Sequence, residues 1–496
     1  MNKHIEQAIE NLRNAATRYE RPERYYNGEH DLRFATEKFE STFGTLFREF
    51  ALNLCPVVCD AVRDKLRITG FSLDSLDAAE PPYLRKSSAF PSLAANDHGG
   101  SASKRGGTAP GKFIGGDGKP QAFRTSSGEA AGVETLSRSI WHRNRMATRS
   151  GEVHKEALKT GDAFVIVWPD AAGRAAIHPN RAANITAVYD EDSPGRIAWA
   201  AKTWRAADKR VRLNLFYPDR IEKYISKAES EGSLPAAKEF APLGSRGVGE
   251  KRSGGRTNSS TPALLHSSPV IPNPFGIVPV FHFANNADLG SPGRSELEAA
   301  IPVQDGLNKS VLDMLVAMEF SAFRQRWVAG IEVDYDEAGK AVQPYSAGVE
   351  KLWVASNSDA RFGDFEAAAL DQFLKVKDSF RVDIASVTGT PLHYFLQQTG
   401  DFPSGESLRR SETRFLAKVR DRQESFGQVW ADVMAFALQI DGHPPTQLIT
   451  EWEDPSPISE RERLENLLLK KQLGLPAGDA LVEAGYGVED VKQMIA

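Results

Sequence analysis

The stretch "TGTPLHYFLQQTGDFPSGESLRR", residues 388–410, joins two segments that read as helices. Gly389, Gly400 and Pro403 prevent a continuous helix through it. It is not a polar spacer either, because Leu392, Tyr394 and Phe395 stand beside His393, Gln397 and Gln398. Ser404 reads as the start of the next helix. A connection this long with little structure of its own is uncommon in a compact domain, and such loops are often functional or disordered. Its meaning depends on what flanks it.

Downstream, Leu408, Phe415, Val419, Phe426, Trp430 and Val433 form the apolar stripe of a long helix from Ser404 to about Ile440. Arg410, Arg414, Lys418 and Arg422 recur on it at four-residue intervals. With Glu406 and other acids interleaved, the simpler reading is a solvated face. The functional reading is a set of contacts to acidic neighbours or to a passing phosphate backbone. A capping box at Ser459 and Glu462 opens "ISERERLENLLLKKQLG", Gly474 closes it, and two short helices complete the sequence.

Upstream, "FEAAALDQFLKVKDSFRVDIASV" places Leu370, Phe373, Phe380, Ile384 and Val387 on one helical face. Before it, "RWVAGIEVDYDEAGKAVQPYSAGVEKLWVASN" reads as short strands and turns. Before that, Ser295 and Glu298 make a capping box, Pro302 suits a first helical turn, and Leu307, Val311, Leu315 and Met318 continue one stripe. Lys309 lies four residues from both Asp305 and Asp313. One helix therefore leads into a small mixed module and a second leads out of it.

The first half differs in character. To about residue 70 it reads as mostly helical. Residues 80–130 and 245–262 are rich in Gly, Ser, Pro and Lys and poor in large aliphatics, so they read as flexible insertions. Between them, "AFVIVWP" and "RAAIHP" flank a hairpin signal at Asp170–Gly173. Val211, Leu213 and Leu215 alternate with Arg210, Arg212 and Asn214, the period of a sheet with one buried face. "IVPVFHF" adds a strand. Helices, then a run of strands, then helices again follow along the chain in separate stretches, which reads as an α+β fold.

Composition narrows the function. The 496 residues carry 61 basic and 66 acidic side chains, a net charge of −5, which disfavours tight general phosphate binding but leaves room for nucleic acid that slides. Hydrophobic residues at 41% and charged residues at 26% suit a soluble globular protein. Cys55 and Cys59, the only cysteines, read as two small core residues in a reducing compartment. "MNKHIEQAIENL" is too charged for a signal peptide. "VLDMLVAMEFSAF" is too short for a membrane span and holds Asp313 and Glu319. "GGTAPGKF", Gly106 to Phe113, nearly matches a phosphate loop, but Phe113 replaces the hydroxyl that would hold magnesium and no apolar strand precedes it. No metal-spaced histidines, nucleophile elbow or distinct carboxylate pair is present, and His178 and His282 read as structural strand histidines. No enzyme, cofactor, metal or catalytic residue is expected.

The order of these segments resembles the portal proteins of tailed bacteriophages, of the type found in many siphoviruses. The similarity runs through "RYYNGEHDL", "NLCPVVCDAVRDKLRITGF", "HKEALKTGDAFVIVWPD", "NPFGIVPVFHFANN", "GRSELEAAIPVQDGLNKSVLDMLVAMEFSAFRQRWVAG" and the segment from "TGTPLHYFLQQTGDFPSGESLRR" onward. The two inserts, about 80–130 and 228–265, depart from it. The resemblance implies a ring of about twelve subunits at one capsid vertex. Residues 1–294 and 405–455 would form the wing, and 295–327 and 364–387 the two stem helices. Residues 328–363 would form the clip, 388–404 the tunnel loop and 456–496 the crown. Leu392, His393, Tyr394, Phe395, Gln397 and Gln398 would then lie at the DNA channel, and Leu315, Phe380 and Ile384 in stem packing. The implied partners are double-stranded DNA in transit, the terminase large subunit, a head-completion adaptor, and major capsid and scaffolding proteins, with no membrane. The implied setting is the virion, and host cytoplasm during assembly. Two other classes stay open: a nucleotide-dependent DNA-packaging enzyme subunit, which would need a complete phosphate loop, and a helical filament or scaffold, which the strand-rich middle disfavours.

Overall fold

The computed structural model describes residues 3–31, 52–73, 127–193, 195–244, 269–289, 291–322, 326–330, 335–339, 358–364, 370–396, 405–456, 460–474, 476–483 and 491. In chain order the elements are α1 (Lys3–Tyr26), α2 (Cys55–Arg63), β1 (Ile68–Leu73), α3 (Ser127–Arg143), α4 (Met146–Thr160), β2 (Asp162–Pro169), β3 (Ala175–Arg181), β4 (Ile185–Tyr189), β5 (Ile197–Arg205), β6 (Val211–Phe216), β7 (Arg220–Ser226), β8 (Phe240–Pro242), β9 (Val270–Pro272) and β10 (Val280–Ala284). There follow α5 (Ala300–Ala322), β11 (Arg326–Ala329), β12 (Arg361–Asp364), α6 (Asp371–Thr388), α7 (Gly405–Ile440), β13 (Leu448–Trp452), α8 (Glu460–Gln472) and α9 (Ala477–Glu483). Helix and sheet are mixed, and the chain divides into two compact units.

The first unit takes residues 1–20, 62–295 and 416–496. Its largest sheet has the order β4-β5-β6-β7-β8, with β9 also on β7, all antiparallel. The alternation read in 211–215 appears here as burial of Val211, Leu213 and Leu215. That face, with Trp199 and Tyr217, is covered by Ile5, Ala8 and Ile9 of α1. The opposite face meets a second sheet, β10-β2-β3: Phe164, Ile166 and Val280 pack on Ile185, Ala200, Phe216 and Ile221. Because β2 lies in the middle of its sheet, it has no polar alternation, and Ala163 to Val167 are all buried. Asp170 turns β2 into β3 by accepting from the Ala172 and Arg174 amides at 2.8 and 2.9 Å.

The aromatic core of this unit centres on Trp430 in α7, fully buried, with ring centroids 5.2 Å from Trp141 and 4.7 Å from Phe283. Its indole Nε1 donates to His154 Nε2 at 2.8 Å. His154 stacks on Phe426, and burial pushes its pKa down to about 3, against a small opposing contribution from the Leu66 backbone. Folded His154 is therefore neutral where an unfolded histidine protonates, so the stability it supports is present above about pH 6.5 and is lost as pH falls toward 3. About 2 kcal/mol should be gone at pH 5. Denaturation midpoints at pH 7.5 and 5 should show the loss, and the His154→Gln variant should flatten it.

The second unit takes residues 21–61 and 296–415. Helices α5 and α6 pack closely: a Cβ on Gly306 would lie 2.8 Å from the Phe380 ring. Ile301, Leu307, Val311, Leu312 and Ile384 are buried. Ion pairing of Lys309 selects Asp313. Asp305 instead accepts from Tyr25 Oη at 2.7 Å, with Arg21 at 3.7 Å. Gln304 Oε1 and Asn308 Oδ1, on the same helix, accept from the Leu54 and Leu52 amides at 3.0 and 3.1 Å. Burial, the larger effect, raises the Asp305 carboxyl above its usual range despite Tyr25 and Arg21. Strands β11 and β12 form a two-stranded ribbon in which Gly363 leaves room for Trp327, since a Cβ there would meet its ring at 2.5 Å. Cys55 and Cys59 are both buried.

Several expectations meet a different local structure. Residues 80–126, including Gly106 to Phe113, lie outside the described residues, but helix α3 already begins at Ser127. The second insert, expected from 228, is structured up to 244: a 3-10 turn at Ala237–Glu239 leads into β8, and Phe240 is buried. Ser295 Oγ donates to the Lys159 carbonyl at 2.5 Å, and α5 starts only at Ala300.

Candidate functional site

The connection after α6 begins with a helix stop. Thr388 Oγ1 donates to the Ile384 carbonyl at 2.7 Å, and Gly389 takes the left-handed conformation at φ 67. Pro391 then starts a single 3-10 turn, Leu392–Tyr394, closed by Tyr394 N to Pro391 O at 3.1 Å and Phe395 N to Leu392 O at 2.9 Å. Phe395 is buried. Tyr394 is half-buried, with its ring centroid 5.8 Å from that of Phe415 in α7. Leu392 is half-buried too, and His393 is exposed. Gln397 and Gln398 lie outside the described residues.

His393 Nε2 lies 3.3 Å from Glu412 Oε1. Glu412 is buried, and its other oxygen, Oε2, has no hydrogen-bond partner among the described residues. Sequence reading passed over this carboxylate. Its signal was its spacing, three residues before Phe415 and seven before Val419, inside the apolar stripe of α7.

The four basic residues on α7 do not share a face. Arg410 and Arg414 are exposed, Lys418 is half-buried and Arg422 is buried beside Asp421. An interval of four overshoots a 3.6-residue turn by roughly 40° each time, so the row rotates by about 120° over three steps and enters the core. Arg414 reaches back to the Ser386 carbonyl at 3.4 Å. Leu315 is half-buried, Phe380 is partly buried against Gly306, and Ile384 is fully buried.

Apolar side chains are open on the α5–α6 pair. Met318 of α5 and Leu374, Val376, Val382 and Val387 of α6 are each more than two-fifths exposed. By the helical period Val376 and Val387 fall on one flank of α6 and Leu374 and Val382 on the other, with buried Ile384 and Thr388 between them. On the ribbon, Trp327 and Phe362 are exposed as well. Among the described residues no group of three or more His, Cys, Asp or Glu is placed to hold a metal ion. No described helix is long and apolar enough to cross a membrane.

The family model for phage portal proteins of the SPP1 Gp6-like type matches residues 117–496. The chain belongs to the phage portal protein family. The match takes in the six-stranded and β10-β2-β3 sheets of the first unit, the α5–α6 pair, the ribbon, the 388–404 connection and α7; it leaves out α1, "RYYNGEHDL", α2 and β1. The portal protein of Mycobacterium phage L5 is 26% identical over 238 residues, 45% of this chain and 49% of that protein. The portal protein of Mycobacterium phage D29 is 25% identical over 237 residues, 45% of this chain and 48% of that protein. The chain thus spans about half the length of the curated relatives it matches. A chain in the virion of a native gene transfer agent particle aligns over 71% of this portal-family chain and 84% of its own, at 12% identity and a TM-score of 0.41.

Proposed function

We propose that this portal-family chain is the subunit of a ring that forms the DNA channel at one capsid vertex, serving packaging and ejection without bond-making chemistry. Its partners on this reading are further copies of itself in a ring of about twelve, DNA in transit, the terminase large subunit, a head-completion adaptor, and major capsid and scaffolding proteins. The observation that carries the reading, beyond the family match, is that apolar side chains stand open on both flanks of α6. Surface apolar side chains scattered singly are ordinary, but Val376 with Val387 on one flank and Leu374 with Val382 on the other would each be covered by a neighbouring copy, one on either side in a ring. The exposed Trp327 and Phe362 support the ribbon as the clip where the motor and then the adaptor dock. Within the tunnel loop, Tyr394 and Phe395 serve as anchors, and His393, seated beside Glu412, is the exposed described side chain that would meet DNA. The net charge of −5 suits a conduit, since dense phosphate contacts would hold the cargo.

Phe380 and Ile384 hold the subunit's own helix pair together, so the outward valines test the ring more sharply. The double variant Val376→Asp and Val382→Asp would force charges into an apolar contact, at a cost of several kcal/mol per interface. Negative-stain microscopy of the unaltered protein should show rings with a central hole. The variant should run as single subunits with unchanged circular dichroism. Rings of normal size from the variant would remove α6 from the interface. Single subunits that hydrolyse ATP, from the unaltered protein, would favour a packaging enzyme instead.

A further inference from the structure

Among the described residues, the face of the six-stranded sheet turned toward β10-β2-β3 is not fully covered. Beyond the packed Phe216 and Ile221 it opens into a groove lined by Lys202, Asn214, Lys223, Trp168, Trp204 and His178. The register explains the grouping. Lys202 on β5 pairs with Asn214 on β6, and Asn214 pairs with Lys223 on β7, so the three side chains stand in one row across three strands. Strand spacing puts the two lysine Cα atoms roughly 10 Å apart. Lys202 Nζ also lies 5.4 Å from the Trp204 ring centroid, and Trp204 is itself exposed.

Among the described residues no carboxylate lines this groove. Among the described residues neither lysine has an ion-pair partner, whereas the buried Lys159 has Glu156 at 3.0 Å. Burial holds both ammonium groups below the ordinary lysine value. Two half-buried cations without an anion cost desolvation that, among the described residues, only the Trp204 ring beside Lys202 partly offsets. An arriving anion would offset it, and an aromatic or aliphatic side chain beside the anion would find the tryptophans.

We propose that this groove is a binding site for an extended acidic peptide, with carboxylates on alternate residues meeting Lys202 and Lys223 across Asn214 and an apolar side chain meeting Trp204. Alternate residues of an extended strand repeat at about 6.8 Å, a distance two flexible lysines can bracket from 10 Å apart. The recessed position favours a peptide over duplex DNA, whose phosphates meet projecting cations. The site is independent of the ring reading, because every lining residue belongs to one subunit.

The test is fluorescence anisotropy on the full chain. The probe is a fluorescein-labelled octapeptide in which glutamate alternates with alanine and a phenylalanine ends the row. Binding should saturate and weaken with salt, and the same peptide with glutamine for glutamate should not bind. The K202M and K223M double variant keeps the side-chain volume and should lose at least about tenfold in affinity, one charge-assisted contact or more. In parallel, acetylation footprinting of the unaltered chain by mass spectrometry should show Lys202 and Lys223 protected by the peptide. That readout stands whether or not the variant folds. Absence of protection, equal binding by the variant, or competition by inorganic phosphate or a DNA duplex but not by unlabelled peptide would each overturn the proposal.

Discussion

Asp162→Ala should yield little or no folded protein. The carboxylate sits at the first position of β2, 1% exposed. It accepts from Tyr19 Oη at 2.7 Å, His282 Nε2 at 2.8 Å and the Gly293 amide at 2.9 Å, and it pairs with Arg18. Burial pushes its pKa up, but the His282, Tyr19 and Arg18 contacts outweigh that and hold it below the usual carboxylate range. Truncation removes the one acceptor common to four donors. Arg18 is more than a third exposed and stays solvated, so the cost comes from the buried donors left unpaired, about 1–3 kcal/mol each. Against a total stability of about 5–15 kcal/mol, soluble expression should collapse. Asp162→Asn keeps the shape but points an amide at donors, so it should fall between. The measurement is the soluble fraction and, for Asn, the guanidinium midpoint; a midpoint for Ala within about 1 kcal/mol of the unaltered protein would make the cluster incidental.

Trp430→Ala should be the other severe variant. It would empty the space between Trp141, Phe283 and His154 and leave His154 Nε2 without its donor. Truncating a buried tryptophan costs about 3–5 kcal/mol. Trp430→Phe fills most of the volume and loses only the indole donor, so it should cost about 1–2 kcal/mol. Chemical denaturation of the pair separates packing from hydrogen bonding: equal losses would mean that the hydrogen bond, not the filled volume, dominates at this position.

The legible parts of this fold were those with local periodicity. Val211, Leu213 and Leu215 announced a half-buried strand, and Phe415, Val419, Phe426, Trp430 and Val433, all buried, announced the face of α7. The helix–module–helix order around residues 328–363 was legible from turn residues and stripes. Asp162 was not. "TGDAF" reads as a helix stop and a strand start, while the partners of its carboxylate lie 143 residues before, in Tyr19, and 120 after, in His282. No window of sequence contains that cluster. Lys202 and Lys223 were invisible for the same reason, since only the β5-β6-β7 register brings them into one row. The basic row on α7 misled in the other direction: a regular interval looked like a face, and the helical period turned it inward. In the 388–404 connection six residues carried one expectation, a place at a channel; of the four that are described, Phe395 is buried, Leu392 and Tyr394 are half-buried and His393 is exposed.

The pairing of β1 with β13 has a bearing on synthesis. Phe71 sits opposite Thr450, so a strand made near the start waits for one made near the end. At roughly 5–20 residues per second the wait is on the order of half a minute, during which β1 is an unpaired edge and α7, with its Trp430 core, does not yet exist. Nascent chains must stay apart through that interval, and a ribosome that stalls before residue 448 releases a first unit that cannot close. Closure of the first unit is thereby tied to the late strand, so that a chain ending before it keeps β1 without its partner.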